Sequence, residues 1–224
     1  MINPQSVFLI LSLAFTTSAL SQKKYCMGIE GGPSTTFLTG SKIDKRKYSS
    51  IFSSSAGLFF QYNLSKIIAI RIAVGIEKKG TNYAYSYVSL GGYLPYYVKD
   101  NHKVNFDYLT FPILFKRTFT GKINCFFNVG PFLGYLIRQP VGKIVEGGGV
   151  YYNNHYSQFD GGISGGFGIS IPIKNKFSVS SECRYNLGIV DITAMGEGHY
   201  GTIYTQSINF LFGFSYHFGA LPDN

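Results

Sequence analysis

Apolar and polar residues alternate with a period of two along most of the chain. The cleanest run is Ile68, Ile70, Ile72, Val74 and Ile76, with Ala69, Arg71, Ala73, Gly75 and Glu77 between them. Phe159, Ile163, Phe167, Ile169 and Ile171 alternate with Asp160, Gly162, Ser164, Gly166, Gly168 and Ser170. Phe177, Val179, Cys183, Tyr185, Leu187 and Ile189 alternate with Ser178, Ser180, Glu182, Arg184, Asn186 and Gly188. The last run places Ile208, Phe210, Phe212, Phe214, Tyr216 and Phe218 opposite Asn209, Leu211, Gly213, Ser215 and His217. Successive side chains of a strand point to opposite faces, so each run predicts a strand with one large apolar face and one small or polar face.

The connections between runs alternate in length. Short ones are predicted near residues 63–66, 118–122 and 173–176, and long ones near 33–50, 80–103, 139–157 and 190–205. Eight antiparallel strands with both ends on one side produce that order. The expected fold is therefore all-β: an eight-stranded antiparallel up-and-down β-barrel that spans a membrane, with short turns on one side and long loops on the other. Around 9–11 tilted residues suffice for such a strand to cross. No run of 18 apolar residues follows the N-terminal segment, so a crossing by helix is excluded. Membrane strands must close into a barrel to satisfy their backbone hydrogen bonds.

The N-terminal segment reads differently. Val7 to Phe15 is apolar apart from Ser12, and Ala19-Leu20-Ser21 offers small residues for cleavage. Residues 1–21 are expected to be a cleaved secretory signal peptide and residues 22–224 a single barrel domain. The mature chain is thus expected in the outer membrane of a bacterial cell.

Composition sharpens the membrane reading. Charged residues make up 14% of the chain, where about 25% is usual, while aromatics reach 17% and there are 27 Gly. A soluble barrel turns its apolar face to the core and carries many Lys and Glu on the other; here that second face is small and polar, Gly and Ser suit a crowded lumen, and the large apolar residues are left to face lipid. The net charge is +9, with Lys45-Arg46-Lys47 the one run of three cations. Scattered cations suit an anionic membrane surface and do not suggest nucleic acid as a partner. Cys26, Cys125 and Cys183 are too few and too far apart to read as a disulfide framework or a metal signature.

An eight-stranded barrel is just wide enough inside for its own side chains. The faces assigned above place Glu30, Gln61, Arg71, Glu77, Lys116, Asn128, Arg138, Glu182, Arg184, Asn209 and His217 in the lumen. Buried charges require partners, so Glu30, Arg71, Glu182 and Arg184 are expected to form a polar plug that fixes strand register. The alternative use of these charges is a narrow pore for small solutes. No catalytic constellation stands out: His155, His199 and Ser157 fall in long connections without an acidic partner or a G-x-S-x-G elbow. The glycines at 147–149 precede neither Lys-Ser/Thr nor a helix, and no cofactor or metal is expected.

Specific activity is expected in the long loops. Tyr83, Tyr85, Tyr87, Tyr93, Tyr96 and Tyr97 crowd one, and Tyr151, Tyr152 and Tyr156 another. Rigid amphipathic Tyr side chains suit contacts with surface glycans or other envelope proteins; equally, they are the residues of strand extensions and of an interfacial aromatic girdle. Lys42, Lys45, Arg46 and Lys47 in the first loop suit lipopolysaccharide phosphates and equally suit a plain solvated loop. A soluble exported ligand-binding barrel is the remaining alternative.

Four segments carry a family resemblance. Tyr108-Leu109-Thr110-Phe111-Pro112-Ile113-Leu114-Phe115-Lys116 resembles a "Y-L-x-I-P-hydrophobic-K" strand, and Gly130-Pro131-Phe132-Leu133-Gly134-Tyr135 a "G-P-Y-x-G-Y" strand. Asp160-Gly161-Gly162-Ile163, leading to Gly166-Phe167-Gly168, is similar to "D-x-G-x-x-x-G-x-G", and Arg184-Tyr185-Asn186-Leu187-Gly188-Ile189 to "R-Y-x-x-G-L". In this order they resemble the outer-membrane β-barrel domain common in Bacteroidota, whose members include porin-family and PorT-like proteins. The resemblance implies an outer-membrane barrel and, through the PorT-like members, a part in assembling a secretion or surface system.

Overall fold

The computed structural model describes residues 23–41, 48–89, 96–139, 144–145, 149–150, 156–174, 176–193 and 201–220. Eight long strands run through them: β1 (Lys23–Thr39), β2 (Ile51–Asn63), β3 (Ile68–Ser89), β4 (Tyr96–Phe119), β5 (Asn124–Arg138), β6 (Phe159–Lys174), β7 (Phe177–Gly188) and β8 (Tyr204–Ala220). Each pairs antiparallel with its sequence neighbours, and β1 pairs with β8 from Lys23↔Ala220 to Thr39↔Tyr204, which closes the barrel. Tyr48–Ser49 adds two residues beside β3, and Ile144–Val145 pairs with Gly149–Val150 as a small separate ribbon.

Exposure identifies the solvent this fold is built for. Ile29, Leu58, Leu133 and Phe212 are 58%, 58%, 65% and 64% exposed, whereas Arg71, Glu77 and Lys79 are 2%, 2% and 0% exposed. A water-soluble barrel would reverse these faces. The outward apolar band on β3 runs from Ile70 through Ile76 and ends at exposed Lys78, as expected of a lipid-facing zone with polar margins. The short turns at 64–67, 120–123 and 175–176 lie at the end where the chain enters β1 and leaves β8. That is the periplasmic end of an outer-membrane barrel, and the long connections mark the outer end.

Inside, small and large residues are matched across strands. Inward Phe59 lies opposite Gly28, Phe126 opposite Gly168 and Phe132 opposite Gly162. A Cβ on Gly28 would strike the Phe59 ring, and one on Gly168 the Phe126 ring, so the missing side chain is the space each ring fills. Proline marks local breaks in pairing. The β3–β4 register is interrupted beside Phe111 and Pro112, and the β4–β5 register beside Pro131, because Pro has no N–H to donate.

Three sequence expectations need correction. Residues 80–103 are not mainly a loop: β3 and β4 continue as a paired ribbon from Gly80↔Asn105 to Ser89↔Tyr96, since alternating Tyr, Val and Asn residues pair as well beyond the membrane as within it. Likewise Pro33 to Thr39 belong to β1, where the single Pro is tolerated by pairing on one side with Ser54. Arg138 is outside the lumen, with its side chain 80% exposed and 3.5 Å from Asp107. A register shift at Asp107/Tyr108, beside the end of β5, breaks the parity that would have turned it inward.

Candidate functional site

The polar content of the lumen is concentrated in three layers. Midway, Arg184 donates from Nε to Glu182 Oε1 at 2.6 Å, from Nη1 to Glu30 Oε1 at 2.9 Å and from Nη2 to Glu30 Oε2 at 3.2 Å. Arg71 donates to Glu30 Oε2, and from Nη1 to Glu182 Oε2 at 3.4 Å. Asn128 adds a hydrogen bond to Glu182 Oε1 at 3.1 Å, and the Arg71 guanidinium lies 3.7 Å from the centre of the Phe59 ring. Thus Glu30, Arg71, Glu182 and Arg184, carried by β1, β3 and β7, form one closed set of two guanidinium and two carboxylate groups.

A second layer lies toward the outer end. Lys79 Nζ donates to Asp160 Oδ2 at 2.8 Å and to Thr205 Oγ1 at 3.1 Å, and it lies 3.8 Å from Glu77 Oε2. Glu77 accepts from Ser207 Oγ at 2.5 Å, Asn209 Nδ2 at 2.9 Å and Asn186 Nδ2 at 3.2 Å. Alternation places Glu77 in the lumen and Asp160 on the polar face of its strand, whereas Lys79 lies beyond the run it assigns. The signal was available: Lys79 shares the parity of Arg71 and Glu77, and was lost because β3 was expected to stop there.

The third layer faces the periplasmic end. Lys116 Nζ donates to Gln61 Oε1 at 3.3 Å and sits 3.9 Å from the centre of the Phe126 ring. His217 Nε2 is 2.8 Å from Ser178 Oγ and 3.9 Å from the Cys26 sulfur. Among the described residues, the buried charges are four cations (Arg71, Lys79, Lys116, Arg184) and four carboxylates (Glu30, Glu77, Asp160, Glu182). The interior is therefore electrically balanced, as burial in a low-dielectric space requires. Between the middle and outer layers lies a cavity of about 40 Å³, lined in part by Glu30, Glu77, Arg184 and Asn209, enough for a few waters.

Above the outer layer the mouth is covered by apolar side chains. Leu38, Phe106, Tyr108, Leu136, Ile192 and Ile203 form one buried cluster. Ile192 comes from the connection after β7, held there by backbone hydrogen bonds to Ser157 and Ile203 and by Asp191 accepting from Ile203 N at 2.9 Å. Of the residues proposed for surface contacts, Tyr85 and Tyr96 lie on the β3–β4 ribbon, paired with Asp100 and Ser89 respectively. Tyr93, Tyr152, Lys45, Arg46 and Lys47, with His155 and His199, lie outside the described residues, as does the expected signal segment.

A closed eight-stranded barrel, apolar outside and charge-paired inside, with short turns at one end and long connections at the other, defines an outer-membrane β-barrel. In keeping with this, residues 18–194 match the outer membrane protein beta-barrel domain, and the chain belongs to that family, which places it in the outer membrane. No curated protein matches the chain at a significant level. Among solved structures the chain is similar to OprG of Pseudomonas aeruginosa, with 14% identity and a TM-score of 0.49 over 90% of this chain and 99% of that one. It is also similar to Neisserial surface protein A, with 14% identity and a TM-score of 0.49 over 87% and 97%. A third likeness is to Ail, the attachment invasion locus protein of Yersinia pestis, solved with the heparin analogue sucrose octasulfate, with 11% identity and a TM-score of 0.41 over 87% and 99%. The motif positions that suggested the family are mostly inward-facing here: Tyr108, Pro112, Lys116, Phe132, Gly134, Asp160 and Arg184 are all buried.

Proposed function

We propose that the chain is a non-conducting outer-membrane barrel with a structural or surface-interaction role, its specific contacts made by the outer ribbon and loops. The observation that carries this reading is the filled lumen. Two arginines and two glutamates close the middle, and an apolar cluster covers the outer mouth. A path for solutes would have to break several mutually supporting ion pairs in a low-dielectric interior, which is costly. In this reading the four charges are a plug that holds distant strands in register. Tyr85, Tyr93, Tyr96 and Tyr152, with Lys45, Arg46 and Lys47, are the candidates for contacts to surface glycans, lipopolysaccharide or envelope proteins.

The likeness to PorT-like barrels extends the proposal to a part in assembling a secretion or surface system, and residues 1–21 are proposed as the signal that exports the chain. Planar-bilayer recording of the refolded protein tests the central claim: a silent bilayer is expected, and steady single-channel steps would replace the plug with a pore. The mass of the protein purified from outer membranes tests export, with a mature start after Ser21 expected.

A further inference from the structure

Among the described residues, net charge is distributed unevenly between the two ends of the barrel. The periplasmic rim carries Lys23 and Lys24 where β1 begins, Lys66 in the first short turn, Arg117 and Lys122 around the second, and Lys174 and Lys176 at the third. Seven of the 20 Lys and Arg residues are gathered there, and no Asp or Glu accompanies them among the described residues. Among the described residues the lumen contributes nothing to the net charge, because its four buried cations are matched in number by four buried carboxylates. Lys66, Arg117, Lys122 and Lys176 are all exposed.

Two further observations indicate what such a rim meets. First, the cations are spread around the whole circumference: they occur at the β8–β1 seam and at the β2–β3, β4–β5 and β6–β7 turns. A folded partner would cover one arc, whereas a membrane surface surrounds the barrel. Second, the cations sit beside an aromatic belt. Tyr25 stacks on Phe218 at 5.4 Å and lies 5.6 Å from Tyr62, Tyr216 lies 5.2 Å from Phe177, and Phe119 lies 6.4 Å from Phe127. Lys24 Nζ is 5.6 Å from the Tyr62 ring centre and the Arg117 guanidinium 5.4 Å from that of Phe119. Aromatic side chains at the edge of an apolar band sit at headgroup depth, and cations at that depth meet lipid phosphates.

We propose that this rim is a docking collar for anionic phospholipid headgroups of the periplasmic leaflet, which holds a shell of negatively charged lipid around the barrel. The proposal concerns the end of the molecule opposite the outer ribbon and does not depend on what the loops bind.

The test uses the full mature chain refolded into phosphatidylcholine bilayers containing a minority of phosphatidylglycerol. The fraction of spin-labelled phosphatidylglycerol immobilised by the protein is compared with that of spin-labelled phosphatidylcholine. A preference of about fivefold for the anionic label is expected, the factor one cation near an anionic surface supplies. It should collapse in about 1 M salt, where screening acts within ~3 Å. Combining Lys66→Gln, Arg117→Gln, Lys122→Gln and Lys176→Gln should abolish the preference, while Lys78→Gln with Lys103→Gln, beyond the other edge of the apolar band, should leave it intact. Heat-modifiable migration on a gel reports that each variant is folded, and the salt response of the unaltered protein stands if the fourfold variant does not fold. Equal immobilisation of both labels, or a preference that survives the fourfold change, overturns the proposal. So does binding of soluble polyglutamate through the same four residues without lipid preference, which would assign the rim to a soluble acidic polymer.

Discussion

Replacing Arg184 by Ala removes the side chain that joins Glu30 to Glu182. Three hydrogen bonds of 2.6, 2.9 and 3.2 Å are lost, and two buried carboxylates are left facing the single guanidinium of Arg71. One negative charge then has no counterion in a site where Glu30 and Glu182 are 8% and 4% exposed. Removing one partner of a buried pair costs about 3–5 kcal/mol, most of it the penalty of the stranded charge. With a urea slope of about 3 kcal/mol per M, the unfolding midpoint in lipid vesicles should fall by roughly 1–1.7 M. The assay is the fraction of heat-modifiable, fast-migrating barrel across a urea series. A second variant separates charge from packing: Arg184→Ala with Glu182→Gln restores neutrality, with Arg71 facing Glu30 alone. It should recover a large part of the lost stability, a coupling of a few kcal/mol that contacting residues can show. A midpoint unchanged in Arg184→Ala, or losses that merely add in the double variant, would refute the argument that charge balance holds this layer together.

Three other outcomes follow from the same geometry. Lys79→Met should cost about 3–5 kcal/mol by stranding Asp160, and Asp160→Asn in the same chain should restore much of it, read as the same urea midpoints. Ile72→Arg, on the 50% exposed outer face of β3, should cost about 2–4 kcal/mol because the new charge meets hydrocarbon; a midpoint equal to that of the unaltered protein in lipid would show that this face is not in the membrane. Ile192→Ala should cost about 2–5 kcal/mol by opening a void in the outer apolar cluster, seen as faster proteolysis of the 189–203 connection while the strands stay protected.

Strand alternation was the most legible level of this molecule. Ile68 to Ile76 could be assigned faces residue by residue, because a period of two leaves no freedom once one residue is placed. What alternation misses is the third dimension. It sets Glu30, Arg71, Glu182 and Arg184 on inward faces, but which guanidinium reaches which carboxylate depends on registers between strands far apart in the chain. The inward rings of Phe59, Phe126 and Phe132 were likewise hidden. An aromatic in a strand reads as lipid-facing until a Gly opposite it supplies the space. Lys79 was missed for a different reason: Gly80 reads as a turn residue, whereas here it continues β3 with a φ of 154°. Arg138 shows the limit of parity, since one shift in register beside it was enough to reverse its side.

The β3–β4 ribbon has a consequence of scale. Beyond Tyr83, the last residue to pair with Tyr48–Ser49, its two strands run on together from Ala84↔Asn101 to Ser89↔Tyr96, a stretch of roughly 17 Å at ~3.4 Å per residue. That stretch is about half as long as the hydrocarbon layer is thick. An isolated two-stranded ribbon is only marginally stable in water, so this one depends on being rooted in a closed barrel whose cross-section is locked by ion pairs. The rigid interior then serves as the foundation of a mast: whatever drifts toward the cell meets its tip well before it meets the lipid, and the strength of that contact is limited by how firmly the base is held.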